Sequence, residues 1–266
     1  MKIDFQETTD DLLKRIDIHD KYGSRNIDQW MLETIALAAG IKILDVGCGA
    51  GKQCFSYLNY LNNQAEIIGT DVSEDLLNQA KLENKKFDNQ VRFQYLDFNK
   101  PFVFSDNTFD FESCCFAIYY AQDIPFTITE MHRVLKQGGR LFTTGPMPQN
   151  KAVFYDIINE ATKKPIPPMP GSSRYGFEIL DTIKSLFSHT EVHIFENPLT
   201  FNEAKPFMVY TRASMSEDRR LWNTFFTTKD DFEIIMKQIE AVVDRRLKTE
   251  GQIIMTKVVG GFLATK

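Results

Sequence analysis

The chain has 266 residues, 43% hydrophobic and 25% charged, which is ordinary for a globular protein with one core and an insertion. Its formal net charge of −5 argues against nucleic acid as the main partner, because nucleic-acid-binding surfaces are basic. The four cysteines lack a CxxC spacing and the four histidines form no ligand pattern, so we expect reduced thiols and no metal site.

The N-terminal segment, residues 1–40, predicts two helices. It contains no long apolar run, so we expect neither a signal peptide nor a membrane-spanning helix, and the thiols favour a cytoplasmic protein. Helical patterns cover 8–20 and 26–39, and the second helix has Asn26 or Asp28 as its N-cap and ends at Gly40.

The next hundred residues alternate between short strands and helices. Strands that alternate with helices form a parallel sheet covered on both faces, and right-handed crossovers bring the carboxyl ends of the strands to one edge. Ligands bind at that edge in open α/β sheets. The predicted strands are 42–46, 66–73, 91–97, 109–120 and 138–145. The residues expected near the resulting crevice are Gly51, Asp71, Asp97 and Tyr119.

The second half of the sequence is less regular. Its proline-rich stretch 163–173 cannot be sheet interior, and we expect a lid loop over about 146–176. A helix is predicted over 177–187, and strands near 190–201 and 252–264 are expected to pair. The domain prediction is therefore N-terminal helices over 1–40, a core over 41–201, a helical cap insert over 202–250 and a final core strand in 251–266.

The turn after the first strand, Gly47-Cys48-Gly49-Ala50-Gly51-Lys52, discriminates between ligands. A phosphate-binding P-loop needs a hydroxyl residue where Gln53 stands, and its earlier glycine is missing. A dinucleotide turn needs a glycine where Lys52 stands, and Asp45 would repel a pyrophosphate. A carboxylate at that position suits a ligand with a positive group near the turn.

Acidic side chains end three successive strands. Asp71 is placed to accept hydrogen bonds from ribose hydroxyls, and Asp97 to accept one from the exocyclic amine of adenine. With Asp45 beside an ammonium group, the three carboxylates match a ligand with an amino-acid end, a ribose and an adenine. S-adenosylmethionine (SAM) has these parts and no phosphate.

These motifs resemble those of a known family. "ILDVGCGAGK" (43–52) is similar to the first motif of the class I SAM-dependent methyltransferases, "IIGTDVS" (67–73) to their acidic motif, and "LDF" (96–98) to their adenine-side motif. The resemblance covers residues about 40–146. It implies an α/β fold: a doubly wound, mostly parallel, seven-stranded Rossmann-like sheet, with N-terminal helices and a helical cap inserted before the last strand.

The resemblance also implies which residues would contact SAM. Gly47 and Gly49 would allow close backbone approach to the methionine part, and Val72 would pack on adenine. Tyr22 would close over the cofactor and Phe116 would touch its sulfonium side, or else both would simply pack in the core. Asp97 could instead cap a turn. The cofactor-side residues are Tyr22, Asp45, Gly47, Gly49, Gly51, Asp71, Val72, Asp97, Phe98 and Phe116.

The acceptor is less constrained than the cofactor. "FAIYYAQDIP" stands where family members that methylate DNA or protein glutamine carry an Asn/Asp-Pro-Pro-aromatic tetrapeptide, and the basic domain of RNA enzymes is missing. We therefore expect a small-molecule acceptor and no nucleic-acid or membrane partner, with a homodimer compatible with the sequence. Tyr119 and Tyr120 could orient the acceptor or merely pack, and Arg174 could pair with it or be a solvated loop charge. The acceptor-side residues are Tyr119, Tyr120, Met147, Arg174, Tyr175, Phe207 and Tyr210.

The leading functional prediction is methyl transfer from SAM to an O, N or C nucleophile of a small metabolite, with S-adenosylhomocysteine as product. The alternatives are a SAM-binding enzyme of the same fold that cyclises or cleaves SAM, and a non-catalytic SAM-binding protein. An NAD oxidoreductase is a more distant alternative.

Overall fold

The computed structural model describes residues 9–215, 219–226 and 228–266. The chain divides into two compact units. The core unit comprises Ile27–Pro148, Pro170–Phe195 and Val259–Lys266. The second unit comprises Met1–Asn26, Gln149–Met169 and Glu196–Val258.

The described residues form seven strands and eleven α-helices. The strands are β1 Ile41–Val46, β2 Ala65–Asp71, β3 Val91–Tyr95, β4 Phe109–Cys115, β5 Leu135–Pro146, β6 His189–Phe201 and β7 Ile253–Thr265. The helices are α1 Thr9–Tyr22, α2 Ile27–Ile35, α3 Lys52–Tyr60, α4 Glu74–Asn84, α5 Ile124–Val134, α6 Ala152–Thr162, α7 Pro170–Arg174, α8 Leu180–Leu186, α9 Ala204–Ala213, α10 Arg219–Phe225 and α11 Lys229–Glu250. Single turns of 3₁₀-helix cover Lys85–Phe87 and Ile118–Tyr120, and a π-helical turn covers Tyr175–Ile179.

The strands form one sheet in the order β3-β2-β1-β4-β5-β7-β6. Strand β1 pairs in parallel with β2 on one side and β4 on the other, so the strand order reverses at β1 and the sheet is doubly wound. Strand β7 is antiparallel to β5. The predicted fold class is confirmed, and β6 and β7 are neighbours as expected from the sequence.

Local sequence signals fix the crossover helices of the core unit. Ser73 caps α4, accepting a hydrogen bond from the amide of Leu76 at 3.4 Å, and two acidic residues follow in the first turn. Asp123 caps α5 in the same way through the amide of Phe126 at 2.9 Å. Each helix therefore begins just after the loop that follows a strand, which leaves the carboxyl ends of the strands at one edge.

The structure corrects three element boundaries. Strand β4 was predicted to reach residue 120 but ends at Cys115, because Phe116 has a left-handed backbone with φ of 58°. Helix α2 ends at Ile35 rather than at 39, because Ala36 is also left-handed with φ of 44°. The predicted lid loop of about 146–176 is wrong as a loop, since it contains helices α6 and α7. The first residue of the predicted 8–20 helix lies outside the described residues.

The two units have separate apolar cores. Cys114 and Cys115 belong to opposite faces of the sheet in the core unit, as expected for adjacent strand residues, and all four cysteines are free thiols. In the second unit, helices α6, α9, α10 and α11 pack around Phe154, Tyr210 and Trp222. Within the described ranges, every helix is too short or too polar to cross a membrane.

Candidate SAM site

The glycine turn after β1 is held against β2 and leaves room for a ligand at Gly49. The amides of Gly47 and Cys48 both donate to the carbonyl of Thr70, at 2.8 and 2.9 Å. A Cβ added at Gly49 would meet only Leu76, at 4.0 Å, and the φ of Gly49 is +54°. The turn therefore presents open backbone, which fits close approach of a ligand rather than of protein side chains.

The other two glycines of the turn face protein. A Cβ at Gly47 would lie 2.6 Å from that of Ala117 and 3.9 Å from the ring of Phe98, so the structure brings the turn, the β3 end and the β4 end together. A Cβ at Gly51 would lie 2.8 Å from Phe93 and 3.0 Å from Phe55, so packing alone requires glycine there. A SAM contact by Gly51 stays a prediction.

Asp71 ends β2 beside the turn. Its Oδ2 accepts a hydrogen bond from the Gly49 amide at 2.9 Å, and its Oδ1 accepts one from the Ser73 amide at 2.8 Å. Each carboxylate oxygen can accept a second hydrogen bond, so the group retains acceptor capacity for ribose hydroxyls. Val72 and Leu76 follow as exposed apolar side chains, a surface suited to adenine.

Asp45 lies at the end of β1 and is 1% exposed. Its Oδ1 accepts from the Ser113 hydroxyl at 2.6 Å, and its Oδ2 accepts from the Cys54 thiol at 3.4 Å. Burial raises the pKa of the Asp45 carboxyl to about 6, the two hydrogen bonds lower it, and the charge of Asp71 raises it further. Burial is thus the dominant influence on the pKa of this carboxyl group.

Asp97 and Phe98 follow β3. The Asp97 carboxylate accepts from the amide and the side chain of Asn99, both at 3.0 Å, and pairs with Lys100 at 3.3 Å. The Asn99 amide is the main cause that lowers the pKa of Asp97. The structure thus shows the turn-capping role, and the adenine contact stays a prediction. The carbonyl of Phe98 accepts from the Thr127 hydroxyl at 3.0 Å.

The segment after β4 carries three of the predicted aromatic residues. Phe116 is 36% exposed and Tyr120 is 65% exposed, whereas Tyr119 is buried with its ring 4.7 Å from that of Tyr120. The Arg174 guanidinium donates to the carbonyls of Tyr119 and Ala121, at 3.0 and 2.7 Å. It also contacts the carboxylate of Glu178 at 3.2 Å, so Arg174 binds protein groups rather than lying as a solvated charge.

Met147 and Tyr175 pack at the β5–β7 pair. The Tyr175 ring stacks on Phe262 at 4.4 Å, and its hydroxyl forms a hydrogen bond with Thr143 at 2.9 Å. Tyr175 is fully buried, and a Cβ at Gly260 would meet the sulfur of Met147 at 2.6 Å. Their contact with an acceptor stays a prediction.

The remaining predicted residues, Tyr22, Phe207 and Tyr210, belong to the second unit. Tyr22 stacks on Phe201 with ring centroids 5.2 Å apart, and Phe207 is fully buried. The hydroxyl of Tyr210 accepts a hydrogen bond from Lys257 at 3.3 Å. Their roles toward cofactor and acceptor stay predictions.

Sequence reasoning missed Ser113 and Cys54, which hold the Asp45 carboxyl. Ser113 lies opposite Asp45 in the β1–β4 register, and Cys54 comes from the first turn of α3. A serine in β4 on the same face as Phe111 was the available signal, but strand register is needed to pair it with Asp45. Within the described ranges, acidic, histidine and cysteine side chains form no group of three or more that could hold a metal ion.

Comparisons with known proteins place the chain in a family. A family model described as a methyltransferase domain matches residues 37–260. The chain is 28% identical over 134 residues to the uncharacterized methyltransferase YcgJ of Bacillus subtilis. The aligned region covers 50% of this chain and 51% of YcgJ. It is 32% identical over 111 residues to a demethylmenaquinone methyltransferase of Staphylococcus saprophyticus. That alignment covers 42% of this chain and 47% of the staphylococcal protein. The chain thus spans about half the length of these curated relatives.

The crystal structure of YcgJ from Bacillus subtilis has the same fold. It superposes with a TM-score of 0.58 over 90% of this chain and 97% of YcgJ, at 19% sequence identity. The family match over most of the chain and this doubly wound sheet agree with each other. The chain therefore belongs to the methyltransferase domain family and has the fold of the class I SAM-dependent methyltransferases.

Proposed function

We propose that the chain is an enzyme that transfers the methyl group of SAM to an O, N or C nucleophile of a small-molecule metabolite. The observation that carries the proposal is the geometry at the ends of β1 and β2. There the open backbone of Gly49, the Asp71 carboxylate and exposed Val72 lie next to one another. These groups fit an adenosine ligand, and the relative named demethylmenaquinone methyltransferase supports a small acceptor.

Different residues of the chain would bind the cofactor and align the acceptor. When bound, SAM supplies a methyl group on a positively charged sulfur. Asp71 would hold the ribose, Val72 the adenine, and Asp45 the ammonium group behind the glycine turn. Phe116 and Tyr120, which are exposed after β4, would exclude water and align the acceptor. Alignment and exclusion of water are the main requirements, because methyl transfer consumes a positive charge instead of creating one.

The direct test is calorimetric titration of the protein with SAM, S-adenosylhomocysteine and NAD, followed by the Asp71→Asn variant. We expect the first two to bind at micromolar concentrations and NAD not to bind. Asp71→Asn should weaken SAM binding by roughly 1–3 kcal/mol, because hydrogen bonds to a charged acceptor are lost. The control Asp75→Asn changes an exposed carboxylate in the first turn of α4 and should have no effect.

Unchanged SAM affinity in folded Asp71→Asn protein would contradict the ribose assignment. Binding of NAD alone would overturn the cofactor assignment. The alternative of non-methylation chemistry predicts SAM consumption without equimolar S-adenosylhomocysteine, and a non-catalytic binding protein predicts binding without consumption.

A further inference from the structure

Strand β6 is the outermost strand at one end of the sheet. In the strand order of the described residues it comes last, so it pairs with a neighbouring strand, β7, on one side only. In the second unit, the amides of Ser24 and Arg25 donate to the side-chain oxygen of Asn197 at 3.0 and 3.3 Å. The Arg25 guanidinium also donates to the carbonyl of Glu196 at 3.0 Å. We call residues 189–195, the part of β6 in the core unit, the β6 edge.

The β6 edge lacks the features that usually protect an outer strand from pairing with another chain. Natural proteins keep such strands short or place lysine, arginine or proline on them. The outer strand at the opposite end, β3, has five residues and an exposed Arg92 at its second position. Strand β6 has 13 residues, and its residues 189–195, HTEVHIF, include no lysine, arginine or proline. The two ends of the sheet therefore differ, and only the β3 end carries the usual protection.

One face of the β6 edge is apolar and exposed. Side chains alternate along a strand, so Thr190, Val192 and Ile194 share one face, and Phe195 belongs to the other. Phe195 packs on Trp30 of α2 with ring centroids 5.2 Å apart, so α2 lies on the face of Phe195. Val192 is 44% exposed and Ile194 is 41% exposed. Both are β-branched residues, which contribute to stability when they pack against a neighbouring strand.

The other face of the β6 edge carries a row of imidazole and carboxylate groups. The Glu191 carboxylate lies 3.5 Å from the imidazole of His189 and 3.3 Å from that of His193. The side chains of His189, Glu191 and His193 are 67%, 49% and 33% exposed. A second strand that approaches this edge would therefore meet one carboxylate between two imidazole groups, a row that favours a partner carrying the same two groups in complementary positions.

The β6 edge is complementary to itself in one antiparallel register. A two-fold axis at Val192 places the two copies of Val192 opposite each other and Thr190 opposite Ile194 of the second copy. On the other face, the same axis places Glu191 opposite His193 of the second copy, twice. An axis at Glu191 would instead place two carboxylates opposite each other, which is destabilising. An axis at Thr190 would leave Ile194 without a partner in β6, because the opposite residue precedes the strand.

We propose that the β6 edge is the interface of a homodimer, in which two copies of this chain join their sheets through antiparallel pairing about Val192. Glu191 accepts a hydrogen bond from the second copy's imidazole when that ring is neutral and forms an ion pair when it is charged. Strand pairing alone buries less than the roughly 1,200–2,000 Å² of stable complexes, so we expect dissociation at micromolar concentrations. The inference goes beyond the proposed function and depends neither on SAM binding nor on methyl transfer.

The first test uses the wild-type protein. Sedimentation velocity is measured from about 1 to about 100 µM, the range in which weak interfaces dissociate. Hydrogen exchange is measured at both ends of this range. We expect a monomer–dimer equilibrium, and we expect the amides of residues 189–195 to exchange more slowly at the higher concentration, because pairing gives those on the outer side of β6 a hydrogen-bond acceptor.

Variants then test the register. Val192→Lys places two ammonium groups opposite each other at the axis and should raise the dissociation constant of the dimer about tenfold or more. The matched control is Val103→Lys, which changes a valine that is 80% exposed and lies outside β6. Glu191→His places imidazole groups opposite each other and should also weaken the dimer. The double variant Glu191→His/His193→Glu exchanges the two groups and should restore it.

Wild-type protein that stays monomeric at the highest concentration overturns the inference. A dimer with the same dissociation constant in wild type and Val192→Lys also overturns it, because the copies would then meet elsewhere. Slow exchange of residues 189–195 at every concentration would mean that another part of the same chain covers the β6 edge, which again contradicts the dimer. Circular dichroism checks the folding of each variant, and if Val192→Lys does not fold, Glu191→His and its double variant decide the register.

Discussion

Phe116 is the residue whose backbone departs most clearly from what its sequence favours. A bulky residue with φ of 58° pays about 1–2 kcal/mol relative to the right-handed regions. Its amide nonetheless donates to the Thr144 carbonyl at 2.9 Å, so the conformation is fixed by the sheet. Backbone strain held by surrounding structure is typical of functional sites, and here it turns an aromatic side chain outward at the ligand edge.

Phe116→Gly should therefore raise the free energy of unfolding by up to about 1 kcal/mol, because glycine adopts positive φ without strain. The proposed methyl transfer should fall in the same variant, because the side chain proposed to exclude water is gone. Urea unfolding and turnover measure the two effects. The control Phe177→Gly changes an exposed aromatic residue outside the left-handed region and should lower stability. A Phe116→Gly protein destabilised as much as this control would show that the conformation stores no strain.

Residues at strand ends were predictable from sequence because the position of a strand end is local information. Asp45, Asp71 and the glycine turn follow directly from a short apolar run that stops. Ser113 could not be assigned, because its link to Asp45 depends on the register between β1 and β4. The turn-capping role of Asp97 was foreseen only as an alternative, and the carboxylate is seen to accept from Asn99.

Among the elements, the 3₁₀ turn after β4 depends on Arg174 from the end of α7. The guanidinium binds two carbonyl groups that flank the exposed Tyr120, and the amide of Tyr120 donates to Ala117 at 2.9 Å. By donating to both carbonyls, the Arg174 guanidinium orders the 3₁₀ turn. Arg174 is thereby connected through this turn to Tyr119 and Tyr120, the proposed acceptor-side residues.

Arg174→Ala should lower the free energy of unfolding by roughly 1–3 kcal/mol, since two charge-assisted hydrogen bonds are lost. Hydrogen exchange at the amides of Tyr120 and Ala121 should become faster in this variant. Glu178→Gln is the matched control, because it alters the contact of Arg174 with Glu178 and leaves both carbonyl bonds in place. Equal exchange rates in both variants would mean that Glu178, rather than the carbonyl bonds, orders the turn.

Elements of the first half follow from apolar alternation and capping residues, but the π-helical turn at Tyr175–Ile179 does not. Its first residue, Tyr175, fills the space above Gly145, where a Cβ would lie 2.4 Å from the ring. Because this contact joins residues 30 positions apart in the sequence, no local sequence pattern predicts it. Helix α6 was missed for a related reason: its N-cap Lys151 is left-handed and provides no side-chain cap.

At the scale of the whole molecule, two buried carboxyl groups connect stability to pH. Glu112 lies inside the sheet with neither oxygen hydrogen-bonded among the described residues, and burial raises its pKa well above 4.5 despite Lys266 and Arg133 nearby. Asp45 has its pKa raised to about 6. A carboxyl whose pKa is higher in the folded state stabilises the fold below its unfolded pKa, and this contribution is lost as the pH rises through the folded pKa.

These two groups should therefore make the free energy of unfolding decrease as the pH rises from about 4 to 7, with Asp45 contributing up to about pH 6. Glu112→Gln removes one of them, so the stability of this variant relative to wild type should increase with pH by up to about 1.4 kcal/mol per unit. Urea titrations at pH 5, 6 and 7 measure the difference. Glu240→Gln, exposed on α11, is the control. A pH-independent difference between Glu112→Gln and wild type would contradict the buried, protonated state.

The fold class of the whole chain was predictable because the strand-helix alternation of residues 41–146 leaves few topologies. The division into two units was not, because each unit combines three separated segments of the chain. Contacts among distant segments, such as those that bury Trp222 in the second unit, depend on packing that periodicity alone does not specify.

The bonds of Asp71 to the Gly49 and Ser73 amides have a consequence for binding kinetics. The carboxylate is already oriented, so a ligand that reaches it need not order a flexible side chain or rebuild the turn. The entropy cost of ordering these groups is incurred during folding. Asp71 therefore has its binding orientation in every folded molecule before the ligand arrives. Diffusion and access should therefore set the association rate constant for the nucleoside end of the ligand. Differences in affinity between ligands should lie mainly in their dissociation rate constants.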